Sequence, residues 1–456
     1  MTRERFDVNL KFTLGTCKRK RTARMHIPVA GRGSARLAVT MAQVVSLGAD
    51  GYFRRGGEPF FPVGVNYRPA GCEPAEEWWR SWPAEKIRAD IAAIAGSGLN
   101  AVRVSGPATD GSMERVREFV AWCAGRGVAV VFAGANSFVA EGALDLQRCQ
   151  PVVFSARPDS HLLGFDGLTD PFFHSLLPFA VGLARAAGPT VVTSIGVGAS
   201  LSPGAETIWL QAALPAARCA GATGFFWSEW YGEDGLCNAD GSVHAGREVY
   251  CAFARDGGLG HAADAKGSVA LWVPCPWEAA GECLRRLAIA QYFLGCIGYR
   301  WRAIDPGQLR TLTENHLLIA GVPVAREDVV PLHDWTATGG RLYWHGPDPL
   351  RWSDGLARLL GARPIDWRSG RGISMQAFGE RFTLAHFPHH TRAELQTGSA
   401  EVVAADHQGH PTLLENHVGN GRVRYALPLV EDAIVPVAAH PAARDRWAAW
   451  YRGMFA

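Results

Sequence analysis

Residues 90–104 read DIAAIAGSGLNAVRV, and this stretch decides the fold class. Ile87, Ile91 and Ile94 recur at helical spacing, Gly96 and Gly98 stop the helix, and 99–104 is an apolar, β-rich run. A helix that passes through glycine into a buried strand is half of a βαβ unit. Working outward, residues 83–95 (PAEKIRADIAAIA) place Pro at the helix start and an acid early in it. The strand before it is 61–67 (FPVGVNY), led by a hairpin at 52–60 (YFRRGGEPF) with a Gly-Gly turn between apolar ends. Downstream, 113–124 repeats the helical pattern, Gly125 and Gly127 end it, and 128–132 (VAVVF) is again a strand. Short strands alternating with amphipathic helices argue for a parallel α/β domain.

Further strands are expected at 151–156, 162–166, 190–195 and 224–230, with helices at 172–187 and 207–220. That makes seven strands where a closed (β/α)8 barrel needs eight. The shortfall lies between Phe132 and Pro151. The barrel is expected over 45–254, followed by a Gly-rich linker at 255–267 and a second, smaller α/β domain over 268–371. From 372 to 456 the pattern changes to short strands and turns without long helices, such as 401–405, 412–414 and 421–427, so a small C-terminal β domain is expected.

The chain has 456 residues, enough for two or three domains with real cores. Nearly half of it (48%) is apolar, yet no apolar run approaches the roughly 18 residues of a membrane span. Net charge is +3, but the first forty residues hold ten Lys/Arg against Glu4 and Asp7, so the remainder is mildly acidic. That body lacks the clustered basic face that nucleic-acid binding needs. Residues 1–40 are expected to be a disordered basic leader; without the apolar core of a signal peptide they favour a cytoplasmic location. The ten cysteines are scattered and read as buried free thiols. Neither His389 and His390 nor His407, His410 and His417 have metal-ligand spacing, and Gly257, Gly258 and Gly260 lack the context of a nucleotide-binding turn, so no metal and no cofactor are expected.

Several of these segments carry a resemblance. Residues 51–67 are similar to the leading hairpin and first barrel strand of clan A glycoside hydrolases, in particular families 5 and 42, and 90–104 to the first helix and second strand, with Arg103 where the clan places an arginine. Residues 189–196 (PTVVTSIG) resemble the seventh strand, and 221–230 (GATGFFWSEW) the eighth with its tryptophan. Residues 268–344 resemble the amidotransferase-like domain that follows the barrel in family 42 β-galactosidases, although 317–323 (LLIAGVP) has no Cys or Ser at the nucleophile elbow.

The resemblance implies a TIM-type barrel that handles oligosaccharide or polysaccharide, with two glutamates, one after the fourth strand and one ending the seventh. Retaining hydrolysis needs such a pair about 5 to 5.5 Å apart, because its oxocarbenium-like transition state must be both protonated and attacked. At the seventh-strand position stands Ser194, a hydroxyl that is not ionised at pH 7. No Asn-Glu dipeptide occurs between Phe132 and Pro189, where Glu141 is the only glutamate. Glu229 on the last strand and Asp170, in a Thr-Asp-Pro sequence, are the other candidate carboxylates, with Asp166 behind them. Substrate contacts are expected from Asn66, Tyr67, Arg103, Ser194, Trp227 and Trp230, the aromatic ones stacking on pyranose faces as Trp78, Trp79 and Trp82 could.

Three readings stay open: a degenerate glycosidase, or pseudoenzyme, that binds a β-linked saccharide; an active hydrolase with relocated carboxylates; and an assembly protein whose rear domain makes a homo-oligomer.

Overall fold

The computed structural model describes residues 45–72, 78–106, 113–133, 143–144, 149–156, 170–197, 203–232, 234–238, 242–258, 267–273, 281–346, 353–369, 373–384, 391–434 and 441–456. They fall into two compact units, one within 45–258 except 170–179, the other holding 170–179 and 267–456.

The first unit opens with an antiparallel meander of Val45–Leu47, Phe53–Arg55 and Glu58–Phe60, turning at Gly56 and Gly57 with φ of 58° and 91°. Seven parallel strands follow: β1 Val63–Asn66, β2 Ala101–Ser105, β3 Ala129–Ala133, β4 Ala143–Leu144, β5 Gln150–Ala156, β6 Thr190–Val197 and β7 Ala222–Trp227. Their order is β4-β3-β2-β1-β7-β6-β5. Helices α1 Ala84–Gly96, α2 Met113–Ala124, α3 Pro203–Cys219 and α4 Gly246–Arg255 belong to the same unit. Helix α1 buries Ile87, Ile91 and Ile94 as their spacing requires, and Gly98 leaves it with φ of 92°. Val45 and Phe53 of the meander pack with Ala101, Ala129, Val131, Val191 and Phe226, closing the core under the strands. Gly64 is needed where β1 meets β2, since a Cβ there would lie 2.2 Å from the Ala101 carbonyl oxygen.

Three expectations change here. The segment between Phe132 and Pro151 holds a two-residue strand, Ala143–Leu144, paired with β3. Residues 162–166 lie outside the described residues, and β5 pairs directly with β6 over its whole length, so no strand stands between them. The last strand ends at Trp227, and Glu229–Tyr231 forms a separate small pair with Gly235–Cys237.

The second unit carries β8 Ser268–Trp272, α5 Gly281–Cys296, β9 Arg300–Ile304, β10 His316–Ala320, α6 Val329–Ala337, β11 Arg341–His345 and α7 Asp354–Leu360. Strands β12 Ala362–Ser369, β13 Ile373–Ala377, β14 Glu380–Leu384, β15 Thr391–Thr397, β16 Glu401–Ala405, β17 Pro411–Val418 and β18 Gly421–Ala426 follow, then α8 Val430–Ile434 and α9 Pro441–Phe455. Its main sheet runs β9-β8-β10-β11-β18-β17-β16, the first five parallel. Those five have the 2-1-3-4-5 order of flavodoxin-like sheets. Residues 372–456 thus do not form a sheet of their own: β18 bonds to β11 along five residue pairs and carries β17 and β16 with it. Nor do they lack a long helix, since α9 buries Trp447, Trp450, Tyr451 and Phe455 against the unit.

Candidate functional site

In the first unit the C-terminal strand ends form the mouth, where parallel barrels build their sites. Alternation along β1, β2 and β7 puts Asn66, Arg103 and Ser228 on the face that carries Ala101 and Phe226 into the core. Asn66 ties three strands together: its Nδ2 donates to the carbonyls of Thr193 (3.0 Å) and Trp227 (2.9 Å), and its Oδ1 accepts from Arg103 Nη1 at 2.8 Å. Arg103 Nη1 also lies 3.5 Å from the Thr193 carbonyl. Burial lowers the Arg103 pKa from its ordinary value.

Strand β6 is irregular where it matters most. Val152 and Val153 of β5 face Val192 and Ser194, and Phe225 and Trp227 of β7 face Val192 and Ile195, so β6 carries one extra residue at 193–194 relative to both neighbours. A β-bulge of this kind re-aims side chains at the rim of a sheet. Ser194, half-buried, therefore sits in the bulge beside the carbonyl that Asn66 and Arg103 engage.

After β7 the chain folds over the mouth. Ser228 Oγ and Trp227 Nε1 both donate to the Asp234 carbonyl, at 2.8 and 2.7 Å. Glu229 is partly exposed, 3.7 Å from Arg68 Nη2, and packs on Gly232, where a Cβ would clash with its carboxylate. Asp90 on α1, nearly buried, accepts from the hydroxyls of Tyr67 (3.0 Å) and Tyr231 (2.8 Å), while Lys86 lies over the Tyr231 ring and 3.6 Å from Asp90. This clamp ties Tyr231, two residues after Glu229, to α1. Burial, then the Asp90 charge, raises the Tyr67 pKa far above the usual phenol range.

The expected residues therefore separate. Asn66, Arg103 and Ser194 lie at the strand ends with Glu229 beyond them, whereas Tyr67, expected as a substrate contact, is buried against Phe119 and Trp78 with its hydroxyl given to Asp90. Trp227 and Trp230, expected as sugar platforms, are buried: Trp227 packs edge-on against Tyr250, and Trp230 lies under Arg247. Their faces are occupied by protein. Trp78 and Trp79 are likewise buried, stacked 3.9 Å apart. Asp170 belongs to the second unit, where it caps the short helix Pro171–His174 by accepting from Phe172 N at 2.7 Å. Glu141 and Asp166 lie outside the described residues.

Sequence reasoning missed a pair at the same end of the strands. Glu206, in the first turn of α3, is buried, and its Oε1 lies 3.1 Å from His244 Nδ1 without the alignment of a hydrogen bond. Burial raises the Glu206 carboxyl to about 7, against a smaller opposing effect of the Gly246 N–H, and lowers the His244 pKa. The available signal was position: an acid directly after the strand 190–197, at the face where barrel chemistry collects. Among the described residues no cluster of three His, Cys, Asp or Glu could hold a metal ion, and no helix is long and apolar enough to cross a membrane.

No protein-family model matches the sequence, and no curated protein matches it. Among solved structures the chain is similar to the exo-β-1,4-mannosidase Op5Man5 from Opitutaceae bacterium strain TAV5, with a TM-score of 0.74 and 22% identity over 90% of this chain and 99% of that one. It is also similar to a catalytic mutant of Gan42B, a GH42 β-galactosidase from G. stearothermophilus, with a TM-score of 0.50 and 12% identity over 81% of this chain and 65% of that one. At these identities the likeness establishes the fold alone, an α/β fold like that of these glycoside hydrolases.

Proposed function

We propose that this is a carbohydrate-active protein whose barrel mouth binds a β-linked saccharide and has lost the standard retaining glutamate pair. The observation that carries the reading is Ser194, a neutral side chain in the β6 bulge at the mouth floor, in the strand where the resemblance implies the nucleophile. Fold alone does not assign chemistry, and a hydroxyl at this position supports binding over retaining hydrolysis. The second unit is read as an amidotransferase-like scaffold without a catalytic role, and no cofactor is required. Purified protein is expected to bind β-linked oligosaccharides, read by quenching of tryptophan fluorescence, with no turnover of aryl β-mannosides, β-galactosides or β-glucosides. Turnover that vanishes in Glu229→Gln would overturn it.

One observation favours a second reading, an active hydrolase with relocated carboxylates. Glu229 is a carboxylate at the rim, held by Arg68 and the Gly232 backbone, in a position to act on a bound ligand. Unchanged activity in Glu229→Gln would exclude that assignment.

A further inference from the structure

We propose that the saccharide taken by this mouth is acidic, and that Arg103 binds its anionic group; the inference rests on the saccharide-binding reading above. A buried cation is costly unless an anion or a full set of hydrogen bonds meets it. Arg103 has neither. Both of its hydrogen bonds leave from Nη1, to the Asn66 amide oxygen and the Thr193 carbonyl. Its Nε and Nη2 edge makes no bond to any described residue and is not sealed from solvent.

The charges nearby do not answer it. Glu229 is engaged by Arg68, and Asp90 by Tyr67, Tyr231 and Lys86. Beside Arg103 on the floor stand Asn66, its cross-strand neighbour, and Val131, with Ser194 and Ser228 on the far strands, all uncharged. The open Nε/Nη2 edge is the planar two-donor fork that matches a carboxylate or sulfate bidentately. Asn66 fixes the guanidinium in place, so little side-chain freedom remains to be lost on binding. The ligand chemistry is thus a sugar carrying one such anion, a uronic acid carboxylate or a sulfate ester, lowered onto a floor whose described residues carry one positive charge.

The test is a titration of the full chain with β-1,4-linked trimannuronate, sulfated cellotriose, β-1,4-linked mannotriose, cellotriose and free glucuronate, followed by tryptophan fluorescence. Trimannuronate or the sulfated cellotriose should bind at least about tenfold tighter than the neutral trisaccharides. The preferred one identifies the anion, and its affinity should weaken with added salt. Arg103→Gln should erase the preference, so that acidic and neutral trisaccharides bind alike in that variant; Arg103→Lys, which keeps the charge without the fork, should keep part of it. Equal binding of neutral and acidic oligosaccharides, unaltered in Arg103→Gln, overturns the acidic assignment and leaves saccharide binding standing. Glucuronate binding that needs Arg103, with no oligosaccharide bound, upholds the anion site and removes the saccharide reading. No binding of any probe overturns both.

Discussion

Both units end parallel strands in buried polar groups, and they treat the charges differently. In the second unit His345, at the end of β11, places Nδ1 2.5 Å from Glu431 Oε1, and Tyr451 donates its hydroxyl to the same oxygen at 2.6 Å. The next residue, Asp432, receives Arg285 at 2.9 Å and Arg286 through both Nε and Nη2 at 2.7 Å. Each ionisable group there is met by another from the same unit, and the first three residues are fully buried. At the mouth of the first unit Arg103 meets no carboxylate among the described residues and keeps an open edge. A charge met inside the protein is architecture; one left unmatched beside solvent is an invitation to a ligand.

The largest effect that separates the two belongs to Glu431. Glu431→Ala strands an imidazole and a phenol in the core, and should cost about 3–5 kcal/mol in urea unfolding, as truncating one member of a buried pair does. Glu431→Gln, which keeps a hydrogen-bond acceptor, should cost less, about 1–3 kcal/mol. A loss below about 1 kcal/mol for the alanine variant would break the comparison at its firmer end. Asp432→Ala should fall between, about 2 kcal/mol, because Arg285 is partly exposed and water can take over some of the partnership.

Next comes the pH response of the first unit. Glu206 is raised from its ordinary 4.5 to about 7, so the unfolded chain releases this proton before the folded one does. Its contribution is complete below about pH 4.5, declines as pH rises through the interval to about 7, and is lost above that. The full swing is about 3 kcal/mol at most. His244, lowered from 6.5, acts oppositely, losing stability as pH falls below its unfolded value. Measured in a His244→Gln background, where that opposing slope is gone, unfolding free energy should fall between pH 4.5 and 7, and Glu206→Gln should flatten it. A flat profile with Glu206 intact would show that burial does not hold its proton.

Legibility in the sequence followed the range of the interactions. Helices α1 and α2 and the strands beside them were readable because their apolar spacing and glycine stops lie within a dozen residues of each other. Ala143–Leu144 is too short to show any period. The β18–β11 pairing joins residues some eighty apart, so nothing local distinguishes 421–426 from a strand of an independent domain. At the mouth, Arg103 and Asn66 were found because strand ends are countable, whereas the burial of Trp227 depends on Tyr250 and His244, which arrive from after the strand. The bulge at Ser194 was hidden, since an extra residue is visible only against two neighbouring strands.

The smallest expected effect is the most discriminating. Arg103→Gln gives up a charge-assisted bond to Asn66, worth about 1–2 kcal/mol, but the glutamine amide can still donate, and the partial desolvation of the half-buried cation is relieved. The two changes oppose each other, so unfolding free energy should move by less than about 1 kcal/mol in either direction. Arg286→Gln, by contrast, empties half of the bidentate pair with Asp432 and should cost about 2 kcal/mol in the same titration. If Arg103→Gln proved as costly as Arg286→Gln, Arg103 would be a structural staple like the charges of the second unit. If it leaves stability untouched, the protein keeps a positive charge at its mouth that folding does not need, and the remaining reason for that charge is what it binds.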